Sequence, residues 1–414
     1  MPRIAIIGSG ISGMGAAALL HEKHDIAVYE KSSGIGGHTR TLDIDYNGVK
    51  IPVDTGFIVF NHRNYPLLTA LFKHLNVPTQ KSNMTFGVTA DNGGLEWGAE
   101  NLNAVFGQRS NILNPTFWKF LADILRFNSG AEKAASRNPG KTLGELIALM
   151  GLGDSFVKYY ILPMGGSIWS CPLDVMLGFP ADFFVSFFKS HGLLTVTDQP
   201  QWHTVAGGSR EYIIRLTAPF ADRVRTSSAA TRITRLNGKV QVSDATGATE
   251  EYDHAVLACH ANDARAMLDD VTPEEKEILG HFHYQPNRAV LHKDTSLMPQ
   301  RRRCWSSWVY HPHQKDISVT YWMNQLQGID NKYPLFVTLN PPRDIAAEHV
   351  FDEHVFAHPV YTQESFAAQK RLPTIQGLRN TWFCGAYHRN GFHEDGLHSA
   401  VEVARLLGVE ASWR

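Results

Sequence analysis

The chain opens on a short β-branched run, Arg3-Ile4-Ala5-Ile6-Ile7, of the kind that forms a buried strand. Residues 11–22 then place Ala and Leu at helical spacing, and Ile26-Ala27-Val28-Tyr29 is a second apolar strand. A strand, a helix and a strand in close succession make a βαβ unit, and such units build parallel sheets. Strand patterns return over 224–258, with alternation at Val240 and Val242 and the run Ala255-Val256-Leu257-Ala258. Residues 317–322, 335–339 and 381–385 read as further strands, and 399–407 as a closing helix after a loop. The stretch 111–194 differs. It is helical in pattern and clusters aromatics (Phe117-Trp118, Phe120, Phe127, Tyr159-Tyr160, Phe183-Phe184, Phe187-Phe188), and Thr142-Leu143-Gly144-Glu145 reads as a capping box. With no repeat or low-complexity linker, the two textures are interleaved along one chain.

At 414 residues this implies one large domain or two intimately joined ones. Apolar residues at 43% and charged residues at 19% describe an ordinary globular protein. Lys plus Arg number 39 against 40 for Asp plus Glu, a balance that argues against nucleic acid as a partner. The four cysteines (Cys171, Cys259, Cys304, Cys384) are scattered, which excludes a disulfide framework and points to a reducing, cytoplasmic compartment. Glycines 8, 10 and 13 argue against a signal peptide at the start, and no apolar run reaches the roughly eighteen residues of a spanning helix.

Candidate chemistry begins with Gly8-Ser9-Gly10-Ile11-Ser12-Gly13, a G-x-G-x-x-G that leaves a strand and opens a helix. The first glycine makes the tight turn, the second lets backbone approach a pyrophosphate, and the third lets helix and strand pack closely. The helix N-terminus then faces the phosphates. Glu30, at the end of the next strand, is the acid expected to accept ribose hydroxyls and to repel a 2′-phosphate. This predicts a dinucleotide site. A second cluster, Gly34-Ile35-Gly36-Gly37-His38, follows at once, and a nicotinamide site has no use for it.

The two clusters together resemble the extended signature of the amine oxidase, phytoene desaturase and protoporphyrinogen oxidase superfamily of flavoproteins. Val53-Asp54-Thr55-Gly56-Phe57 resembles its loop against the flavin, and Val205-Ala206-Gly207-Gly208-Ser209 its glycine turn before a helix. The strand near Ala230 resembles the one that holds the adenine. Phe383-Cys384-Gly385 and Gly391-Phe392-His393-Glu394-Asp395-Gly396 resemble its C-terminal flavin motif, whose helix aims its first amides at the isoalloxazine. The resemblance implies FAD and an α/β fold: a Rossmann-type FAD-binding domain from 1–85, 200–275 and 366–414, with an interleaved substrate domain from 86–199 and 276–365. Lys31, Thr39, Ala258, Leu397 and Ser399 complete the implied cofactor set. Where the superfamily carries an arginine near the pyrophosphate, His38 stands here and Arg40 comes two residues later, so either is placed for that contact.

A finer similarity rests on Asp54-Thr55-Gly56-Phe57, Tyr321-Trp322-Met323-Asn324-Gln325-Leu326-Gln327, Val337-Thr338-Leu339-Asn340-Pro341 and His393-Glu394-Asp395-Gly396-Leu397. These are similar to a bacterial branch that includes flavoproteins desaturating methyl-branched fatty acyl chains on the way to furan fatty acids. That similarity implies a lipid or fatty acyl substrate, and with it peripheral contact with the inner face of a membrane.

No second G-x-G-x-x-G and no C-x4-C occurs, which argues against a built-in nicotinamide domain or a disulfide reductase. The substrate itself is therefore expected to give two electrons to the flavin, with oxygen or a quinone-like acceptor taking them on. The aromatic surface of 182–189 suits an acyl chain unless those rings form the second domain's core, and Arg301-Arg302-Arg303 suits lipid phosphates unless it is a solvated loop. An amine substrate is the alternative, weakened because Phe392 stands where the amine oxidases place a cage tyrosine. An FAD-binding scaffold without chemistry comes third. Candidate acid/base groups are His388, His393, Glu394 and Tyr321. The spacing of His388, His393 and His398 puts them on no common helix face, so no metal site is expected. Cys384 lies in an apolar strand and is expected to pack rather than to attach flavin.

Overall fold

The computed structural model describes residues 1–169, 173–195, 199–313 and 316–413; Cys171 lies outside them. A five-stranded parallel sheet carries the first layer, in the order Val224–Arg225, Asp25–Tyr29, Arg3–Ile7, His254–Leu257, Thr381–Phe383. Its strands read as continuous apolar runs because both faces are covered. Ile4, Ile6, Val28 and Val256 point to the face that packs the helices Ile11–Leu20 and His393–Leu406. Ala5, Ile7, Ala27, Ala255 and Leu257 point to the other face, against Ile233, Val240 and Val242 of an antiparallel sheet (Ala230–Leu236, Lys239–Asp244, Thr249–Tyr252).

The second layer is a seven-stranded sheet ordered Val350–Val360, His283–His292, Phe336–Leu339, Asp316–Trp322, Trp308–His313, Phe86–Ala90, Leu95–Gly98. All its pairings are antiparallel except Trp308–His313 with Phe86–Ala90. One face packs the aromatic helices: Phe86, Val88, Tyr310 and Val319 meet Phe117, Phe120, Phe127, Phe184 and Phe188 in one buried cluster. The 23-residue helix Pro115–Arg137 supplies much of it, with Asn114 capping its start through Thr116 N–H. Thr142 and Glu145 do form a capping box, opening Leu143–Leu149.

The closing helix starts six residues earlier than its pattern predicts, at His393 instead of 399. Asp395 accepts the Phe392 N–H at 2.9 Å and so closes the first turn. Gly396 sits inside this helix, where a Cβ would lie 2.8 Å from Ser12 Oγ and 2.9 Å from Ile11 Cγ2. The helices Ile11–Leu20 and His393–Leu406 therefore approach each other so closely at Gly396 that a larger residue would push Ser12 or Ile11 aside. The first helix ends at Leu20 and the last strand at Phe383, each slightly short of the predicted limits.

Candidate active site

A cavity of about 1840 Å³ runs between the two layers. Small-molecule sites usually span about 300–1,000 Å³, so this one has room for a dinucleotide and a second molecule.

One end is built by the first βαβ unit. Gly8 has φ +107°, and a Cβ on it would lie 2.6 Å from the Ala258 carbonyl oxygen; a Cβ on Gly13 would lie 1.9 Å from the Gly8 carbonyl oxygen. The turn is thus closed to any side chain. Gly10 caps the helix Ile11–Leu20 with no side-chain bond, and Gly8, Ser9, Gly10, Ile11 and Ser12 line the cavity, so the first-turn amides are offered to an anion. Glu30 is buried: one oxygen accepts Ser9 N–H at 3.0 Å and Ser9 Oγ–H at 2.5 Å, the other Ser32 N–H at 2.7 Å. The carboxylate is held at the cavity wall with lone pairs left for hydroxyl donors. Lys31, Ala230, Ala258, Cys259 and His260 complete this end. Gly36 donates its N–H to Ser9 at 3.0 Å, which ties the second glycine cluster to the first from behind.

The middle is lined by Gly37, His38, Thr39, Arg40, Thr55, Gly56, Phe57 and Gly385. His38 stacks on Phe356 at 4.9 Å and 30°, and burial holds it well below the usual histidine range, so the ring is neutral. Arg40 reaches Asp352 with both guanidinium nitrogens, at 2.8 and 3.2 Å, and Thr55 at 3.1 Å. Both candidates for the arginine position therefore face the cavity, but one is uncharged and the other is already paired.

Asp54 corrects an expectation. It does not line the cavity; its carboxylate is fully buried behind the wall and accepts from Thr41 Oγ at 2.5 Å, Ser209 N at 2.9 Å, Ser209 Oγ at 2.8 Å and Gln327 Nε2 at 3.0 Å. Burial nevertheless lifts it to about 6. Asp54 fastens the loop that carries Thr55 to Phe57.

The closing helix presents Phe392 and His393 to the cavity. His393 stacks on Phe57 at 3.9 Å and 13°, and its Nε2 lies 3.0 Å from Thr39 Oγ1 and 2.9 Å from Tyr212 Oη. Burial pushes it down to about 3, which keeps it neutral. Glu394 is the second correction. Its two oxygens accept Leu67 N–H at 2.8 Å and Leu68 N–H at 2.9 Å, capping the helix Pro66–His74, and it does not reach the cavity. Asp395, Gly396, Leu397 and Ser399 also lie behind the wall, with Gly13 and Gly36; Ser399 Oγ accepts the Gly385 N–H at 2.8 Å. His388 is the third: it does not line the cavity, burial pushes it to about 3, and its Nε2 is enclosed without a partner. Of the four acid/base candidates, His393 and Tyr321 remain at the cavity surface.

The far end is apolar. Met84, Phe86, Met164, Ile168, Trp169, Phe187, Trp202, Trp308 and Tyr321 form its wall. The aromatic stretch is thus mainly core, with Trp169 and Phe187 reaching the cavity. Tyr321 meets Trp308 edge-to-face at 5.2 Å. His191, stacked on Phe187 at 3.8 Å and held at about 4 by burial, is a lining residue that sequence reading missed. So are His354, Phe356 and His358, three alternate positions of the strand Val350–Val360 that share one face. Their spacing of two was the available signal. Arg301 is paired with Glu96 at 2.9 Å, and Arg302 lies 3.6 Å over Trp305, so neither is a freely solvated cation.

Among the described residues, no group of His, Cys, Asp or Glu could hold a metal ion, and no helix is long and apolar enough to cross a membrane. The open helix N-terminus, the fixed Glu30 carboxylate and the side-chain-free turn fit an adenine dinucleotide. A family model described as flavin containing amine oxidoreductase matches residues 11–293. Comparison with curated proteins gives no match. Among solved structures, the chain is similar to a CLA-producing fatty acid isomerase from P. acnes (17% identity, TM-score 0.66, 98% of both chains). It is also similar to a putative protoporphyrinogen oxidase from Exiguobacterium sp. 255-15 (16%, 0.69, 98% of both). A third is cyclohexylamine oxidase from Brevibacterium oxydans IH-35A (16%, 0.68, 98% of this chain and 99% of that one). At such identities the structures speak for the fold, while the model match covers well over half of the sequence. The chain belongs to the flavin-containing amine oxidoreductase family, and its cofactor is FAD.

Proposed function

We propose that this FAD-dependent oxidoreductase dehydrogenates a lipid-like substrate, a methyl-branched or unsaturated fatty acyl chain. The observation that supports the reading is the far end of the cavity, walled by Met84, Phe86, Met164, Ile168, Trp169 and Phe187. Burying a chain there removes methylenes from water at about 0.8 kcal/mol each. Among the described residues the carboxylate that lines this end is Glu100, and it sits at the exposed rim. A cationic amine carried deeper would find no anion.

FAD supplies a two-electron acceptor that oxygen or a quinone-like molecule restores. The chain's own residues strip water from the substrate, and Thr39, Tyr212 and Phe57 hold His393 in one orientation as an uncharged ring. Tyr321, edge-to-face with Trp308, brings a phenol to the same wall. The CLA-producing isomerase named above, a fatty acid enzyme on this fold, adds support. Amine oxidation is the second reading, favoured by likeness to cyclohexylamine oxidase and to putrescine oxidase bound to putrescine. Anaerobic mixing decides between them. Bleaching of the flavin by phospholipid acyl chains and not by amines is expected; bleaching by amines alone would sink the proposal.

A further inference from the structure

The lip beside the cavity's apolar end carries side chains that folding leaves uncovered. Leu102 is 76% exposed, Leu113 88% and Trp118 51%, and Ile112 and Leu125 are exposed beside them. These positions form one patch. Phe106 packs on both Phe117 (5.8 Å) and Trp118 (5.2 Å), and Trp118 Nε1–H donates to the Ile112 carbonyl at 2.9 Å. Trp118 and Leu125 are seven residues apart on the helix Pro115–Arg137 and so share its outer face, opposite the buried Phe117, Phe120 and Phe127. Ala99 and Glu100, which line the cavity and are themselves exposed, precede Leu102 with only Asn101 between.

Two cations, Arg109 and Arg303, border the patch without a carboxylate partner among the described residues. Arg109 is turned to the neutral Phe106 carbonyl and Asn103 Oδ1, at 2.8 and 2.6 Å. Arg303 lies against Gly107, whose Cβ would be 3.3 Å from that of Arg303. Of the nearby carboxylates, Glu96 and Asp123 are held by Arg301 and Arg126, while Glu100 stands exposed at the cavity rim and takes a 3.5 Å bond from Asn83 Nδ2.

We infer that this patch seats the enzyme on an anionic lipid surface, with the cavity mouth at the bilayer. Exposed leucines with an exposed tryptophan, flanked by two arginines that no carboxylate holds, match the apolar boundary and negative headgroups of such a surface. A symmetric pairing of two copies through the patch is the competing occupant, and the test separates it. The inference rests on the acyl-chain reading for its purpose but not for its test.

The test uses the full, FAD-loaded chain, sedimented with phosphatidylcholine vesicles with and without phosphatidylglycerol. Sedimentation with the anionic vesicles is expected. Leu113→Asp should weaken it about tenfold and Arg303→Ala about fivefold, with flavin absorbance and melting unchanged. No sedimentation, or equal sedimentation of both variants and the parent, overturns the inference. So does a dimer in vesicle-free ultracentrifugation that Leu113→Asp dissolves, which would make the patch a protein interface. Binding without oxidation of the lipid counts against the acyl substrate alone. Oxidation of detergent-dispersed lipid without vesicle binding counts against the docking surface alone.

Discussion

Glu394 lies in the stretch that resembles the flavin motif, yet its carboxylate is turned to the helix Pro66–His74, and replacing it separates the two roles. Both oxygens accept amide protons, from Leu67 at 2.8 Å and Leu68 at 2.9 Å, and the side chain is buried. Tyr65 at the N-cap makes no side-chain bond, so Glu394 is what satisfies that end of the helix. Hydrogen bonds to a charged group contribute about 1.5–3 kcal/mol each, and the positive helix end adds up to about 2 kcal/mol. Water can re-solvate part of what is exposed, so Glu394→Ala should cost about 2–4 kcal/mol. Glu394→Gln keeps one acceptor and should cost about half as much. Urea denaturation followed by tryptophan fluorescence reads this directly, and stopped-flow anaerobic reduction reads the chemistry. The expected result is a lowered urea midpoint with the flavin of the folded fraction reduced at its normal rate. Unchanged stability with reduction slowed a hundredfold would place Glu394 in the reaction and refute the reasoning.

Gly13→Ala should yield protein that does not retain FAD, because the added Cβ would lie 1.9 Å from the Gly8 carbonyl oxygen; a yellow variant with full flavin content would show that the loop can move aside. Tyr321→Phe should leave the flavin reduction rate within about threefold if Tyr321 is wall, whereas a loss of about a hundredfold would mark it as an acid/base group. Burial lifts Asp395 to about 7, above the roughly 3.9 of an unfolded aspartate. Between about pH 4 and 7 the folded state keeps a proton that the unfolded chain has released, so this group's contribution to stability falls as pH rises through that window. Denaturant midpoints from pH 5 to 8 should therefore drop more steeply in the parent than in Asp395→Asn; parallel curves would contradict the assignment.

The parts of the site that were legible in the sequence are those whose cause is local. A strand, a glycine turn and a helix within the first twenty residues carry their own signals, and Glu30 follows at the end of the next strand. The start of the closing helix was not legible, because His393-Glu394-Asp395-Gly396 has the composition of a turn. What makes it helical is distant: crowding by Ser12 and Ile11 at Gly396, and the demand of Leu67 and Leu68 for an acceptor. Asp54 shows the same limit. Its motif was recognisable, but that its carboxylate points away from the cavity follows from Ser209 and Gln327, more than 150 and 270 residues further on. Among the histidines, His388 and His393 differ by five positions in sequence and by a cavity wall in space.

The interleaving of the parallel sheet also sets an order in time. Its central strand, Arg3–Ile7, leaves the ribosome first, while its edge strand Thr381–Phe383 and the helix His393–Leu406 leave nearly four hundred residues later. The glycine loop must therefore pass through synthesis without the wall that Phe392 and His393 form. Its apolar strand edge stays open until His254–Leu257 arrives to pair with it. Tight FAD capture therefore waits until Thr381–Phe383 and His393–Leu406 have been made, and truncation after residue 380 should abolish it however intact the N-terminal motif remains.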